Sequence, residues 1–362
     1  MVIAVRRPLA LLASSLLALA AGCNTGFAPQ YRVTDLRVLA VRSQVVGMAT
    51  HAADADLGDT VRLTALVANP LARQPLQIRW RACAPSATEL LSPCLDPQWL
   101  ATPERFDTPE AANLGVFALE EVPGATLAPD GTWIEVPLTD PGVQAIIQQA
   151  FDQAIQFAID NPPYRCTLYV ELPVVVIVEA GGLQQVSVKR VRLTPKSQIQ
   201  SNQDLAGKYI LNVNPGITGL YFDPSDQDSC VGGAPLAVTC DALSCDTAET
   251  CEPDPQGGLP VCAPLPGGLD ATPRVLCGRI DDRFTQEFNQ CSPSGTPVAF
   301  DERTTWQWYT TGGSLSDADG VGNATSAHPK LTRPQEAFTL WLLLRDGRGG
   351  EAWLRRDFAA LP

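Results

Sequence analysis

An apolar run of 13 residues near the N-terminus, Leu9 to Ala21, broken only by Ser14 and Ser15, decides the conditions in which the rest of the chain must fold. Arg6 and Arg7 precede it and Gly22-Cys23 closes it. It is too short to cross a hydrocarbon core of ~30 Å, so it reads as an export signal and not as a membrane span. Export puts the chain in an oxidising compartment, where thiols pair. Ten cysteines follow Cys23, an even number that predicts up to five disulfides. They are Cys83, Cys94 and Cys166 in the first half, then Cys230, Cys240, Cys245, Cys251, Cys262, Cys277 and Cys291.

The sequence Leu19-Ala20-Ala21-Gly22-Cys23 leads small residues directly into a cysteine and resembles the lipobox of bacterial lipoproteins. The resemblance implies a diacylglycerol on the Cys23 thiol, cleavage after Gly22 and acylation of the new N-terminus. Ala20 stands where that family more often has Leu. One acyl chain binds a membrane marginally, but three, at ~0.8 kcal/mol per buried methylene, hold it permanently. In the same family an Asp after the cysteine favours inner-membrane retention, so Asn24 points to the outer membrane, on its periplasmic or its surface-exposed side. Two alternatives stand beside this. One is an ordinary secretory signal cut near Ala21, with Cys23 a simple thiol. The other is twin-arginine export, which Arg6-Arg7 begins and Pro8 does not continue.

After a lipidated tether, residues 23–30, the chain reads as two strand-rich units, 31–200 and 201–362, with residues 1–22 removed as the signal. In the first unit Val33–Val41 and Asp59–Ala68 alternate as half-buried strands, Leu76–Trp80 forms a third, and Tyr164–Val170 leads into the apolar run Val174–Val178. Gly181-Gly182 turns this run into Val186–Leu193. Residues 84–138 read as a Pro-rich insertion and 140–160 as a helix, capped by Thr139 or Asp140 and ended by Asn161-Pro162-Pro163. Its apolar face is Val143, Ile146, Ile147, Ala150, Phe151, Ala154 and Ile155, which predicts packing on a sheet.

Residues 195–216, polar and turn-rich, read as the boundary. The second unit begins with Ile217–Phe222, is interrupted by a Cys-rich insert at 223–273, and resumes near Arg274. Thr305–Tyr309 puts Trp306 and Trp308 on one face of a strand, and Phe338–Leu344 turns through Arg345–Gly350 into Glu351–Phe358. The expected fold is all-β: two antiparallel sandwiches, the first with an inserted helix and the second with a disulfide-rich insert. A tryptophan on the third strand and a later Tyr-x-Cys, here Trp80 and Tyr164-Arg165-Cys166, resemble the marks of immunoglobulin-like domains. The second strand has no cysteine, so that fold's inter-sheet bridge cannot form. Another kind of sandwich with ordinary core aromatics remains the alternative. Parity, three cysteines before the boundary and seven after it, predicts an odd number of bridges between the units. Cys83 with Cys94, and Cys166 with Cys230 or Cys277, are the expected pairs.

The chain carries 39 acidic and 26 basic residues, a charge of −13 that becomes −15 once Arg6 and Arg7 are cleaved off. So acidic a chain gains nothing from phosphate counterion release, which excludes nucleic acid as a partner. His51 and His328 lie far apart and leave little material for imidazole chemistry. Cys240-x4-Cys245-x5-Cys251-x10-Cys262 lacks the close Cys-x-x-Cys pairs of a zinc site and reads as a stapled knob. Nine acidic residues between Asp223 and Asp270, and Asp317-x-Asp319-Gly320, do not match an EF-hand; solvated acidic surface is expected there, with weak calcium binding the alternative. No nucleophile elbow, zincin helix, phosphate loop or dinucleotide fingerprint occurs, so no catalytic residue, metal or cofactor is expected. The reading is an outer-membrane lipoprotein serving as a structural or adhesion-type binding module for an envelope protein or glycan. The alternative is a lipid-anchored envelope glycan hydrolase, which needs a cleft with two carboxylates about 5–10 Å apart.

Overall fold

The computed structural model describes residues 29–48, 52–85, 92–222, 234–236, 251–252, 261–262, 273–280, 286–316, 318–322, 326–358 and 360. The signal, Cys23, His51, Asp317 and most of the Cys-rich insert, including Cys230, Cys240 and Cys245, lie outside these residues. The described chain is mostly β, in several antiparallel sheets.

The first unit has eight strands: β1 (Arg37–Val45), β2 (Thr60–Ala68), β3 (Leu76–Cys83), β4 (Val116–Ala118), β5 (Thr126–Leu127), β6 (Trp133–Pro137), β7 (Val170–Ala180) and β8 (Leu183–Leu193). They form two four-stranded sheets, ordered β1-β2-β6-β5 and β4-β3-β7-β8. Between the sheets lies one core, with Val61, Leu63, Ile134 and Val136 facing Ile78, Trp80, Val174, Val176 and Val178. Trp80 is fully buried, and its indole N–H donates to the Gly131 carbonyl at 3.0 Å. The apolar run Val174–Val178 is buried on both faces of β7. Val175 and Ile177 point away from the main core into a second cluster with Trp99, Phe106, Ala111 and Val116. A strand covered on both sides needs no polar alternation, which explains the unbroken valines.

That arrangement corrects the reading of 84–138 as an insertion. Residues 93–113 are short helical turns that cover the outer face of β3 and β7, and 116–137 supply β4, β5 and β6. These strands are two to five residues long and separated by Gly and Pro turns, too short for a period to register. The long helix spans Pro141–Asp160, with the Asp140 side chain accepting from the Val143 N–H at 3.0 Å. Its buried stripe is Val143, Ile147 and Phe151, then Ala158; Ile146, assigned to that face from the sequence, is exposed because it lies at the stripe's edge. Tyr164 belongs to a 3-10 turn and is exposed against Phe157, with ring centroids 4.9 Å apart. Strand β7 begins only at Val170, so the expected tyrosine hallmark is not formed.

In the second unit β9 (Ile217–Phe222), β10 (Ala234–Leu236), β13 (Arg274–Ile280), β17 (Ser314–Leu315), β19 (Ser326–Ala327) and β20 (Lys330–Thr332) make one sheet. Strands β16 (Thr304–Thr310), β18 (Asp319–Gly322), β21 (Phe338–Arg345) and β22 (Glu351–Phe358) make another, ordered β18-β16-β21-β22. Trp308, Leu276, Leu340 and Leu342 fill the core, with Trp306 packed against it on the same side. Two further pairs stand apart: β11 (Cys251–Glu252) with β12 (Val261–Cys262), and β14 (Glu287–Cys291) with β15 (Pro297–Asp301). In the first of them Cys251 and Cys262 are ladder partners.

The units are not beads on a linker. A third core takes Val33, Leu39, Ala40 and Ala68 from the first unit and Tyr309, Trp341, Leu343 and Trp353 from the second. The Arg42 guanidinium lies 4.6 Å from the Trp353 ring centroid, across the same seam. Val33, read as the start of the first strand, bonds instead with the second unit: its N–H donates to the Thr310 carbonyl, and the Thr310 N–H donates to the Tyr31 carbonyl. Alternation in Val33–Val41 cannot reveal which unit each residue faces.

Candidate functional site

The boundary segment 195–216, polar and turn-rich in sequence, runs through the seam and is partly buried there. Asn212 and Asn214 are 0 % and 4 % exposed, and each joins the two units. The Asn214 amide donates to the Ser43 carbonyl at 2.8 Å, and its oxygen accepts from the Glu351 N–H at 2.9 Å. The Asn212 N–H donates to the buried Asp54 carboxylate at 2.7 Å, and its side-chain amide donates to Asp346 at 3.1 Å. Polar residues in this segment therefore reflect a buried hydrogen-bond network, since buried backbone and amide groups need partners.

Arg348 organises that network from the β21–β22 turn. Its guanidinium donates to Glu302 at 2.8 Å, to the Ile210 carbonyl at 2.7 Å, and to the side-chain oxygens of Asn212 and Gln286, each at 2.8 Å. Asp346 accepts from the Arg348 and Gly350 N–H groups, both at 2.7 Å. A side chain at Gly350 would collide with the Asp346 carboxylate, which is why the turn ends in glycine. Lys189 of the first unit donates to the Gly349 carbonyl and lies 3.9 Å from Glu351. Burial lowers the Lys189 pKa. Burial also raises Glu302 to about 7, helped by the neighbouring charge of Asp346 and opposed by Arg348. Asp54 is likewise raised, by burial above all, although Tyr209 donates to it at 2.5 Å.

The outer side of the network opens into a cavity of about 450 Å³ between the units. From the first unit and the boundary come Cys166, Thr167, Tyr169, Arg192 and Tyr209. From the second come Phe288, Asn289, Gln290 and Phe300 of the β14–β15 hairpin, then Asp301, Glu302 and Arg303, and Arg348 behind them. A disulfide between Cys166 and Cys291 ties the hairpin to the first unit at the cavity edge. Parity foretold one bridge across the boundary, but its partner is Cys291, not Cys230 or Cys277. Cys291 lies on a hairpin that folds back on the turn at 162–164, where Gly295 touches Pro162. Cys83 and Cys94 are bonded as expected, Cα atoms 5.9 Å apart, and staple the cover of the first sheet. Cys277 is also in a disulfide, and His328 lies 3.5 Å from its sulfur.

Two arginines at the cavity lie close to aromatic rings. The Arg192 guanidinium is 4.1 Å from the Tyr169 centroid, and that of Arg348 is 5.6 Å from the Phe288 centroid. Phe288 and Phe300 pair at 6.1 Å between centroids, and Phe300 remains 43 % exposed. Of the two carboxylates, Asp301 is exposed while the Glu302 side chain is only 1 % exposed and faces Arg348. The sequence offered no sign of this site: its arginines and aromatics are scattered over some 180 positions and belong to no motif. A second cavity, about 780 Å³, lies between the long helix and β7, and its one carboxylate, Glu171, pairs with Arg190 at 3.2 Å. Among the described residues no three His, Cys, Asp or Glu side chains are grouped to hold a metal, and no helix is long and apolar enough to cross a membrane.

Neither family models nor curated proteins match this sequence.

Proposed function

We propose that this chain is a lipoprotein anchored in the outer membrane through Cys23, and that its two sandwiches form one binding module whose ligand site is the cavity at their seam. The observation that carries the binding role is the aromatic pair beside that cavity, half-buried Phe288 and exposed Phe300, on a hairpin bonded to the other unit. Pockets at domain interfaces, mostly apolar with a few placed polar groups, are where small ligands bind. A binding role is favoured over a glycan hydrolase by the carboxylates. Hydrolysis needs two that reach the substrate, and here Glu302 is turned inward onto Arg348.

An immunoglobulin-like ancestry for both units is part of this reading. The order β1-β2-β6-β5 against β4-β3-β7-β8 follows the ABED and CFG alternation of that fold, with β4 as an added edge strand. In each unit the tryptophan strand pairs with the first strand of the last hairpin, Trp80 opposite Val176 and Trp308 opposite Leu342. That shared arrangement supports a diverged tandem pair.

One fractionation experiment tests the anchor and the site together. Cys23→Ser should move the protein from the membrane pellet to the soluble fraction, and the released protein should rebind isolated envelopes. Adding Phe288→Ala and Phe300→Ala should abolish rebinding while the melting temperature stays above that of the assay. A Cys23→Ser protein that still pellets after a high-salt wash contradicts the anchor. Rebinding that is indifferent to the two phenylalanines contradicts the site.

A further inference from the structure

We infer that the seam cavity takes an acidic saccharide, a pyranose ring bearing a carboxylate; the inference rests on the reading of this cavity as the ligand site. Three independent features of the wall lead to it. First, aromatic faces are available where folding does not require them. Phe300 is exposed over about two-fifths of its surface beside a half-buried Phe288, and Tyr169 lines the same cavity. The C–H face of a sugar ring packs on such surfaces. Second, the charge at the opening is positive in a chain that is strongly negative overall. Glu302 is consumed by Arg348, which leaves Arg192 and Arg303 against Asp301. Arg303 is exposed, and its side chain makes no hydrogen bond or ion pair among the described residues.

Third, a guanidinium held against a ring keeps its N–H edge available for a planar oxyanion. Arg192, stacked on Tyr169, makes one long bond of 3.4 Å to that residue's hydroxyl. A carboxylate presents the bidentate geometry that an arginine fork matches. Thr167, Asn289 and Gln290 supply neutral donors and acceptors for hydroxyls. The cavity of about 450 Å³ falls in the ~300–1,000 Å³ range of small-ligand sites, about the size of a disaccharide. A simple anion would need the arginines alone. An aromatic acid would leave the hydroxyl-binding groups without a role.

The test is calorimetric titration of the full chain in detergent with four probes at constant ionic strength: glucuronate, glucose, benzoate and inorganic sulfate. Glucuronate should bind at least about tenfold more tightly than glucose, one charge-assisted pair being of that order, and also more tightly than benzoate and sulfate, which offer no sugar hydroxyls to Thr167, Asn289 and Gln290. Arg303→Gln should weaken it about tenfold, Arg303→Lys less, and Phe300→Ala should also weaken it, while Arg355→Gln on the remote strand β22 changes nothing. Glucose, benzoate or sulfate binding as tightly as glucuronate overturns the inference, and so does no binding of any probe. If glucuronate fails while envelope rebinding still depends on Phe288 and Phe300, the site survives and only its ligand class is wrong.

Discussion

Glu302 shows what burial does to a carboxylate even when an arginine faces it. Glu302 is buried in the seam with its carboxylate on the Arg348 guanidinium, and the negative charge of Asp346, which accepts from the Arg348 and Gly350 backbone N–H groups, lies nearby. Glu302 therefore holds its proton up to about pH 7. The folded protein then binds more protons than the unfolded chain, whose glutamate titrates near 4.5, so stability must fall as pH rises from about 4.5 to 7. Asp54, raised by burial as well, contributes with the same sign. Glu302→Gln should remove Glu302's share of that decline, on the order of 2 kcal/mol, in urea unfolding compared at pH 4.5 and 7.5. An unchanged pH slope in the variant would mean that Glu302 is ionised throughout. None of this was legible in the sequence. Arg345–Gly350 has the composition of a hairpin turn and forms one, but the partners that bury Asp346 and Arg348 lie more than 130 residues away, at Ile210 and Asn212.

Among the elements, the β14–β15 hairpin depends most on covalent help. It is a two-stranded sheet on its own, and β15 is exposed throughout. An isolated hairpin is marginal in water. Cys166–Cys291 closes a loop with a sequence separation of 125 and, by loop entropy, stabilises by about 4–5 kcal/mol. Replacing both cysteines by serine should lower stability by about that amount and speed hydrogen exchange across 287–301 more than in β3 or β7. Equal protection of the hairpin in the variant would show that packing alone holds it. If all ten cysteines pair within the chain, counting them requires a bridge between the units, because parity is independent of geometry. Naming Cys291 required the fold, since its reach depends on how the hairpin lies on Pro162. Long elements were legible for the opposite reason. The second strand, the helix and Glu351–Phe358 are read from local period and caps, whereas β4 and β5 are too short to have a period.

At the scale of the whole molecule, the third core and the asparagine seam join the sandwiches into one body. Domains joined by a modest interface move against each other by default, and a large apolar seam with a covalent tie suppresses that motion. The sequence concealed this because the segment that crosses the seam is polar, and polar residues are ordinarily read as solvated. Two units held at a constant angle preserve the spacing between Tyr169 and Arg192 on one side and Phe288, Phe300 and Arg303 on the other, which is what a preformed ligand site requires. Hydrogen–deuterium exchange on the full chain in detergent, with and without saccharides released from purified envelopes, tests this account most directly. The account predicts slowed exchange in 165–170, 208–211 and 286–303, with the long helix and strands β1 and β2 unchanged. Protection confined to the helix face, or no protection anywhere, would contradict it.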